Sequence, residues 1–208
     1  FDCTRPGPDL VREASARVHA KSLAQQFANE MCNMFENAID SRKDKLGMQK
    51  NKKVTIATSI APHGIDNQQL ALESWRAQGF QVVSLNVAEE IEVLHCSFPD
   101  VEFVPVNRDG RKQYGKPFVY FDDFLDFFRH NGDEICGIVN SDVHLISEHS
   151  LPTFFAQEAK NGLVFGSRTD VDDLDNLHGE MYHMGFDFFF FDRKVLNLFP
   201  KEEFCIGQ

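Results

Sequence analysis

From residue 54 onward the sequence alternates between short apolar runs of strand length and amphipathic stretches of helix length. Strands that alternate with helices pair side by side in parallel, because each helix carries the chain back across the sheet. The order βαβαβ therefore predicts an α/β domain with a mostly parallel sheet flanked by helices. Its predicted elements are a strand at 54–60, a helix at 67–78, a strand at 81–86, a helix at 89–96 and a strand at 101–106.

The second half of the chain extends this sheet. The spacing of its apolar residues again alternates between the period of helices and the period of strands. The predicted elements are a Phe-rich helix at 117–130, a strand at 135–145, a helix near 151–160, and strands at 162–167 and 185–191, with a polar loop at 168–180. Together these elements predict one domain over residues 54–208.

The segment before this domain has a different pattern. Apolar residues recur at three- and four-residue spacings over 9–46, which predicts one or two amphipathic helices before a basic linker at 50–53. Residues 1–50 are interpreted either as a helical leader that packs on the main domain or as the tail of a preceding domain. The chain opens at Phe1 and stops at Gln208, so we expect a piece of a longer chain that has adjacent domains and is truncated at its carboxyl end.

Composition excludes several classes of partner. The net charge of -11 and the lack of Lys and Arg stripes argue against nucleic-acid binding. No run approaches the roughly 18 apolar residues of a membrane span, and no signal peptide is visible. The five cysteines are widely spaced and form no Cys-x-x-Cys pair, which indicates reduced thiols and a cytoplasmic location.

The turn after the first predicted strand excludes common nucleotide motifs. Residues 59–64 lack the glycines of a dinucleotide-binding fingerprint or a P-loop. His178 and His183 are five positions apart, whereas two zinc ligands on one helical face stand four apart. The chain also has no Gly-x-Ser-x-Gly motif of a serine hydrolase.

The apolar run 136–145 carries a polar tip, Asn140-Ser141-Asp142. Open α/β sheets bind ligands at the carboxyl ends of their strands, and oxygen ligands suit Mg²⁺ or Mn²⁺ beside a diphosphate. In an extended strand Asn140, Asp142 and His144 point to the same side. The tip therefore predicts a divalent-cation site. The alternative is that Asn140 and Asp142 cap the helix that follows.

The order of elements, with Asn140-Ser141-Asp142 after the fourth strand, resembles the GT-A fold of nucleotide-sugar-dependent glycosyltransferases. It is similar in particular to a family-2-like branch in which an Asn-(Ser/Ala)-Asp tip replaces Asp-x-Asp. The resemblance implies an enzyme of polysaccharide biosynthesis that moves a sugar from a nucleoside diphosphate sugar to a glycan or other acceptor, with Mn²⁺ or Mg²⁺ as cofactor. It covers 54–208 and includes the motifs at 114–117, 166–170, 185–191 and 204–207.

The resemblance also implies roles for individual residues. Asp142 holds the metal, and Asp187 is the base on the acceptor side. Alternatives stay open for three positions: Lys116 as a residue at the start of a helix, Arg168 as a partner of Asp170, and Asp187 as a partner of His183. The residues implied in donor binding are Thr58, Ser59, Asn86, Lys116, Asn140, Ser141 and Arg168.

Two other functions stay open at the level of sequence. A non-catalytic GT-A-like binding module of a multidomain protein is favoured by the substituted Asp-x-Asp and by the apparent truncation. A sugar-phosphate nucleotidyltransferase has the same fold, but such enzymes carry a glycine-rich basic loop after the first strand, and Ala61-Pro62-His63 does not supply one.

Overall fold

The computed structural model describes residues 53–201 and 203–206. The predicted leader over residues 1–50 lies outside the described residues, and the division of the chain into a leader and a main domain stays a prediction. None of the described helices has the length and apolar character needed to cross a bilayer.

A six-stranded sheet, in the order β3-β2-β1-β4-β8-β5, forms the centre of the described domain. Strands β1 to β4 run parallel, and β8 is antiparallel to both β4 and β5. The prediction of a mostly parallel sheet flanked by helices is confirmed. The strands are β1 (Val54–Thr58), β2 (Gln81–Asn86), β3 (Glu102–Pro105), β4 (Ile135–Val139), β5 (Leu163–Gly166), β6 (Thr169–Asp170), β7 (Glu180–Met181) and β8 (Phe188–Asp192), of which β6 and β7 form a separate two-stranded ribbon.

Within the described residues, five helices lie between these strands, and one 3₁₀ segment follows β8. The Phe-rich helix begins later than the predicted residue 117, because the chain before it pairs with a distant segment: Phe121 N donates to Phe204 O at 2.9 Å, and Ile206 N to Val119 O at 3.0 Å. The helices are α1 (Ile65–Ala77), α2 (Ala88–Leu94), α3 (Arg111–Tyr114), α4 (Phe121–His130) and α5 (Leu151–Glu158), and the 3₁₀ segment is Arg193–Leu198.

The core lies on both faces of the central strands. Every residue of β1 and of β4 is buried, as expected for parallel strands that are covered on both sides. On the β8 side, aromatic rings fill the core, and the Phe155 and Phe190 rings stack with centroids 3.6 Å apart. Gly137 stands opposite Phe190 in the β4–β8 register and leaves space for its ring.

The strand predicted over 135–145 is wrong in its second half, because β4 ends at Val139. Val143 N donates to Asn140 O at 3.1 Å and closes a turn. The chain then runs along α1, where Trp75 Nε1 donates to Val143 O at 2.8 Å and Ser74 Oγ accepts from Leu145 N at 3.0 Å. Side chains of α1 thus replace the backbone partners that a longer strand requires.

Candidate functional site

Strands β1 and β4 mark the point at which the strand order reverses. From β1 the chain moves outward to β2 and β3, and it returns on the other side of β1 as β4. A crevice at the carboxyl ends of the strands forms at such a reversal in open α/β sheets. The two strands are tied at this edge by the Thr58 hydroxyl, which donates to Val139 O at 2.7 Å. Thr58 is buried, whereas the next residue, Ser59, is half-buried.

Gln68, in the first turns of α1, joins the loop after β1 to the turn after β4. Its side-chain nitrogen donates to Ala61 O at 2.9 Å and to His63 O, and its oxygen accepts from Ala61 N at 2.8 Å and from Ser141 Oγ at 2.7 Å. The residue is only 3% exposed. Gln68 was not predictable as a site residue, because a glutamine inside a helical pattern gives no signal of its loop partners.

The Asn140-Ser141-Asp142 turn presents an exposed carboxylate. Within the described residues, the Asp142 carboxylate makes no hydrogen bond or ion pair, while its backbone oxygen accepts from Asn67 Nδ2 at 3.5 Å. His144 Nε2 lies 3.1 Å from Asn67 Oδ1. Burial lowers the pKa of His144, and the nearby charge of Asp142 partly counters that shift. The turn therefore has an acidic group open to solvent.

Two sequence-based interpretations of this tip are wrong. The expectation that Asn140, Asp142 and His144 share one side of a strand fails, because the residues lie in and after a turn. The alternative that Asn140 and Asp142 cap the next helix also fails, since Ser150 caps α5 by accepting from Thr153 N.

The Asp187 side chain accepts three hydrogen bonds within the predicted site. Its carboxylate is buried, with the residue 3% exposed. Oδ1 accepts from Asn140 Nδ2 at 3.0 Å and from Arg168 Nη1 at 2.8 Å, and Oδ2 accepts from Arg168 N at 2.9 Å. His183, the alternative partner, is exposed and forms no hydrogen bond with Asp187. One carboxylate thus joins the ends of β4, β5 and β8.

Arg168 lies at the surface of this cluster. Its Nε donates to Asp170 Oδ1 at 2.7 Å, and its guanidinium lies 4.1 Å from the centroid of the Tyr182 ring. Burial lowers the pKa of Arg168, but hydrogen bonds and charges of Asp170 and Asp187 outweigh that effect and raise the pKa overall. Its side chain is 35% exposed, and Nη2 has no hydrogen-bond partner among the described residues. This permanently charged side chain is therefore partly exposed.

The structure separates two predicted residues from this cluster. Asn86 is fully buried, donates to Ile60 O at 2.8 Å and to Glu90 Oε2 at 2.9 Å, and accepts from Ser84 Oγ at 2.7 Å. Lys116 is exposed, and its Nζ lies 5.7 Å from the centroid of the Phe118 ring. No hydrogen bond or ion pair within the described residues joins Lys116 to Asp142 or Arg168. Their roles in donor binding stay predictions.

The oxygen atoms of Asn140 and Asp142 suit a divalent metal ion that binds together with a phosphate ligand. Among the described residues, no group of three or more His, Cys, Asp or Glu side chains forms a preformed metal site. An ionised carboxylate only accepts hydrogen bonds, so Asp187 fixes the amide of Asn140 with its nitrogen inward. The Asn140 oxygen and the Asp142 carboxylate are then available. Mg²⁺ and similar ions usually take one or two protein oxygens and complete their shell with phosphate and water.

A concavity lies outside this cluster. It has a volume of about 420 Å³ and is at the opposite edge of the sheet, where β4 begins and β8 ends. Its lining residues are Gly132, Asp133, Glu134, Asp192, Arg193 and Lys194. None of the predicted site residues contributes to it.

Comparison with known proteins gives only a distant likeness. No protein-family model matches the sequence, and no curated protein matches it. Among solved structures, the mannosyltransferase PcManGT from Pyrobaculum calidifontis, in complex with GDP-Man and Mn²⁺, is similar at a TM-score of 0.43 and 15% identity. The match covers 88% of this chain and 58% of that one, so the chain spans well under two thirds of that structure. No residue role is transferred at this level of similarity.

Proposed function

We propose that this domain transfers a sugar from a nucleoside diphosphate sugar to a glycan or another acceptor, with Mn²⁺ or Mg²⁺ at the donor site. The observation that carries the proposal is the position of the Asn140-Ser141-Asp142 turn. It follows β4 directly beside β1, where the strand order reverses, and nucleotides bind at that point in open α/β sheets. The motif resemblance described above supports the same function.

The side chains of the turn supply the metal-binding half of the donor site. Asp142 offers an exposed carboxylate and Asn140 an amide oxygen, which are both hard ligands. A divalent cation there offsets the charge of the diphosphate, which the acidic tip alone repels. Ser59, half-buried at the end of β1, is the better candidate for a nucleotide contact at this edge, because the neighbouring Thr58 hydroxyl already donates to Val139.

Arg168 supplies the cationic half of the donor site. Its planar guanidinium is suited to phosphate oxygens, and Nη2 remains open while Nη1 and Nε are engaged. Positive charge at the leaving diphosphate stabilises the transition state of glycosyl transfer. The proposed donor site therefore holds the diphosphate between a metal on the β4 turn and a cation after β5.

Isothermal titration calorimetry with UDP-, GDP- and dTDP-sugars, with and without Mn²⁺, tests the proposal. We expect binding that requires Mn²⁺ and that Asp142→Ala weakens by about tenfold or more, as for loss of a charged ligand. Glu73→Ala is the matched control, because Glu73 is an exposed carboxylate of α1 and should leave affinity unchanged. Equal affinities of wild type and Asp142→Ala would refute the assignment.

One observation favours a second candidate, a module that binds the donor without turning it over. The only carboxylate implied as a base, Asp187, is already bonded to Arg168 and Asn140. Release of nucleoside diphosphate from a saturating donor, measured by chromatography with and without acceptor, separates the two. Tight donor binding without any release would identify the module.

A further inference from the structure

We infer that Asp187 is a positioning residue of the donor site: its carboxylate orients Arg168 and Asn140 toward the diphosphate and takes no proton from the acceptor. The inference rests on the proposed function, because it assigns a role within that donor site. It replaces the role of base that the resemblance implies for this residue.

The burial of the Asp187 carboxylate argues against a role as general base. A general base must come within hydrogen-bond reach of the proton that it takes. Asp187 is 3% exposed, and both of its oxygens already accept hydrogen bonds from Arg168 and Asn140. At this burial, an acceptor hydroxyl reaches neither oxygen without a rearrangement of the residues that cover the carboxylate.

The surroundings of the carboxylate explain why it is there. A buried charge is costly unless it is paired and hydrogen-bonded. Asp187 precedes the apolar strand β8, and its charge is matched by the guanidinium of Arg168 at 2.8 Å. It is further anchored through its backbone, where Asp187 N donates to Gly166 O and Asp187 O accepts from Asn140 N. The carboxylate is thus held by the strands on both sides of it.

Arg168 and Asn140, the two partners of Asp187, each have one polar group left for a ligand, a donor and an acceptor respectively. Arg168 retains Nη2, a charged donor suited to a phosphate oxygen. Asn140 retains its amide oxygen, which suits a cation or a ribose hydroxyl. Since both groups bond to the same oxygen of Asp187, their spacing is set by one buried atom. Asp170, the other partner of Arg168, has a side chain that is 56% exposed and cannot fix that spacing.

The test uses the full chain and four variants: Asp187→Asn, Arg168→Lys, their combination, and Asp170→Asn as the matched control. Binding of UDP and GDP in the presence of Mn²⁺ is measured by calorimetry, and donor turnover is measured against pH. We expect Asp187→Asn to weaken diphosphate binding by about tenfold and Asp170→Asn by less than about threefold. In Asp187→Asn the turnover number at saturating donor should fall by a smaller factor than the affinity. The decline of turnover toward low pH, the acidic limb of the pH profile, should be retained.

The combined variant tests the mechanism. Because Asp187→Asn acts partly through the Arg168 guanidinium and partly through Asn140, the double variant should lose less binding free energy than the sum of the two single losses. Additive losses would overturn the inference. So would unchanged binding by Asp187→Asn together with a loss of turnover of about a hundredfold or more and loss of the acidic limb, which is the behaviour of a base.

Two controls separate a failure of this inference from a variant that does not fold and from a failure of the proposed function. If circular dichroism shows that Asp187→Asn does not fold, Asn140→Ala and Arg168→Lys replace it, and unchanged diphosphate binding by both would overturn the inference. A wild-type protein that binds neither UDP nor GDP overturns the proposed function and this inference together. A wild-type protein that binds, with Asp187→Asn binding equally well, overturns this inference alone.

Discussion

The Ser141 hydroxyl donates to the side-chain oxygen of Gln68 at 2.7 Å, across 73 positions of sequence. The same oxygen accepts from Ala61 N at 2.8 Å, and the amide nitrogen donates to Ala61 O at 2.9 Å. Gln68 therefore connects the loop after β1 with the turn after β4. These two segments are the walls of the proposed donor site, so the shape of that site depends on one buried amide.

Gln68→Ala should lower the free energy of unfolding by about 2–4 kcal/mol, because it leaves the half-buried Ala61 N and several carbonyl oxygens without their partner. Urea denaturation followed by circular dichroism measures this loss. The control is Gln69→Ala, since Gln69 makes a single bond to Ser97 O at 2.8 Å and should cost at most about 1 kcal/mol. Equal losses in the two variants would contradict the role of Gln68.

The buried pair Ser84 and Asn86 supports the same loop. Ser84 Oγ accepts from Ile60 N at 3.0 Å and donates to Asn86 Oδ1, and Asn86 donates to Ile60 O. Asn86→Ala should cost about 2–4 kcal/mol and Ser84→Ala about 1–2 kcal/mol in urea denaturation. Because the residues share one network, the double variant should lose less than the sum. Strict additivity would show that they act independently.

The β4–β8 contact depends on a glycine. A Cβ added at Gly137 would lie 2.5 Å from the Phe190 ring, whereas at Gly185 the nearest atom, in Tyr182, is 3.7 Å away. Gly137→Ala should therefore destabilise the domain by about 1–3 kcal/mol, and Gly185→Ala should stay within about 0.5 kcal/mol. Thermal unfolding compares the two. The loss caused by Gly137→Ala should be smaller in a Phe190→Leu background than in the wild type, and an equal loss in both backgrounds would argue against the proposed clash.

The three cysteines of the described residues differ in burial. Burial raises the pKa of Cys136 and of Cys205 to about 12, while Cys96 is exposed. Since the thiolate is the reactive form, iodoacetamide at neutral to mildly alkaline pH should label Cys96 and spare the other two until denaturant is added. Peptide mass spectrometry assigns each label. Rapid labelling of Cys136 in the native protein would contradict its buried position. The Cys96→Ser variant is the control that lacks the reactive thiol.

The order of strands and helices was predictable because its signal is local. The alternation over residues 54–106 places β1, α1, β2, α2 and β3 in their observed order. The boundaries were less predictable where distant segments intervene. The helix predicted from residue 117 begins at Phe121, since the preceding residues pair with 204–206.

The polar tip after β4 was predictable in place but not in shape. An apolar run that ends in Asn-Ser-Asp marks the end of a buried strand from composition alone. The turn itself depends on α1, whose Trp75 and Ser74 bind the backbone of residues 143 and 145. Those partners lie about seventy positions away in the chain, and no local pattern records them.

For Asp187 the sequence left two roles open and named the wrong structural partner. Its actual partners, Asn140 and Arg168, stand 47 and 19 positions away. The sequence by itself determined the layered α/β architecture and the edge of the sheet where polar residues gather, because hydrophobic periodicity is a property of neighbouring residues. Only the tertiary structure decided which carboxylate is buried and bonded and which is exposed, because that depends on how the ends of β4, β5 and β8 meet.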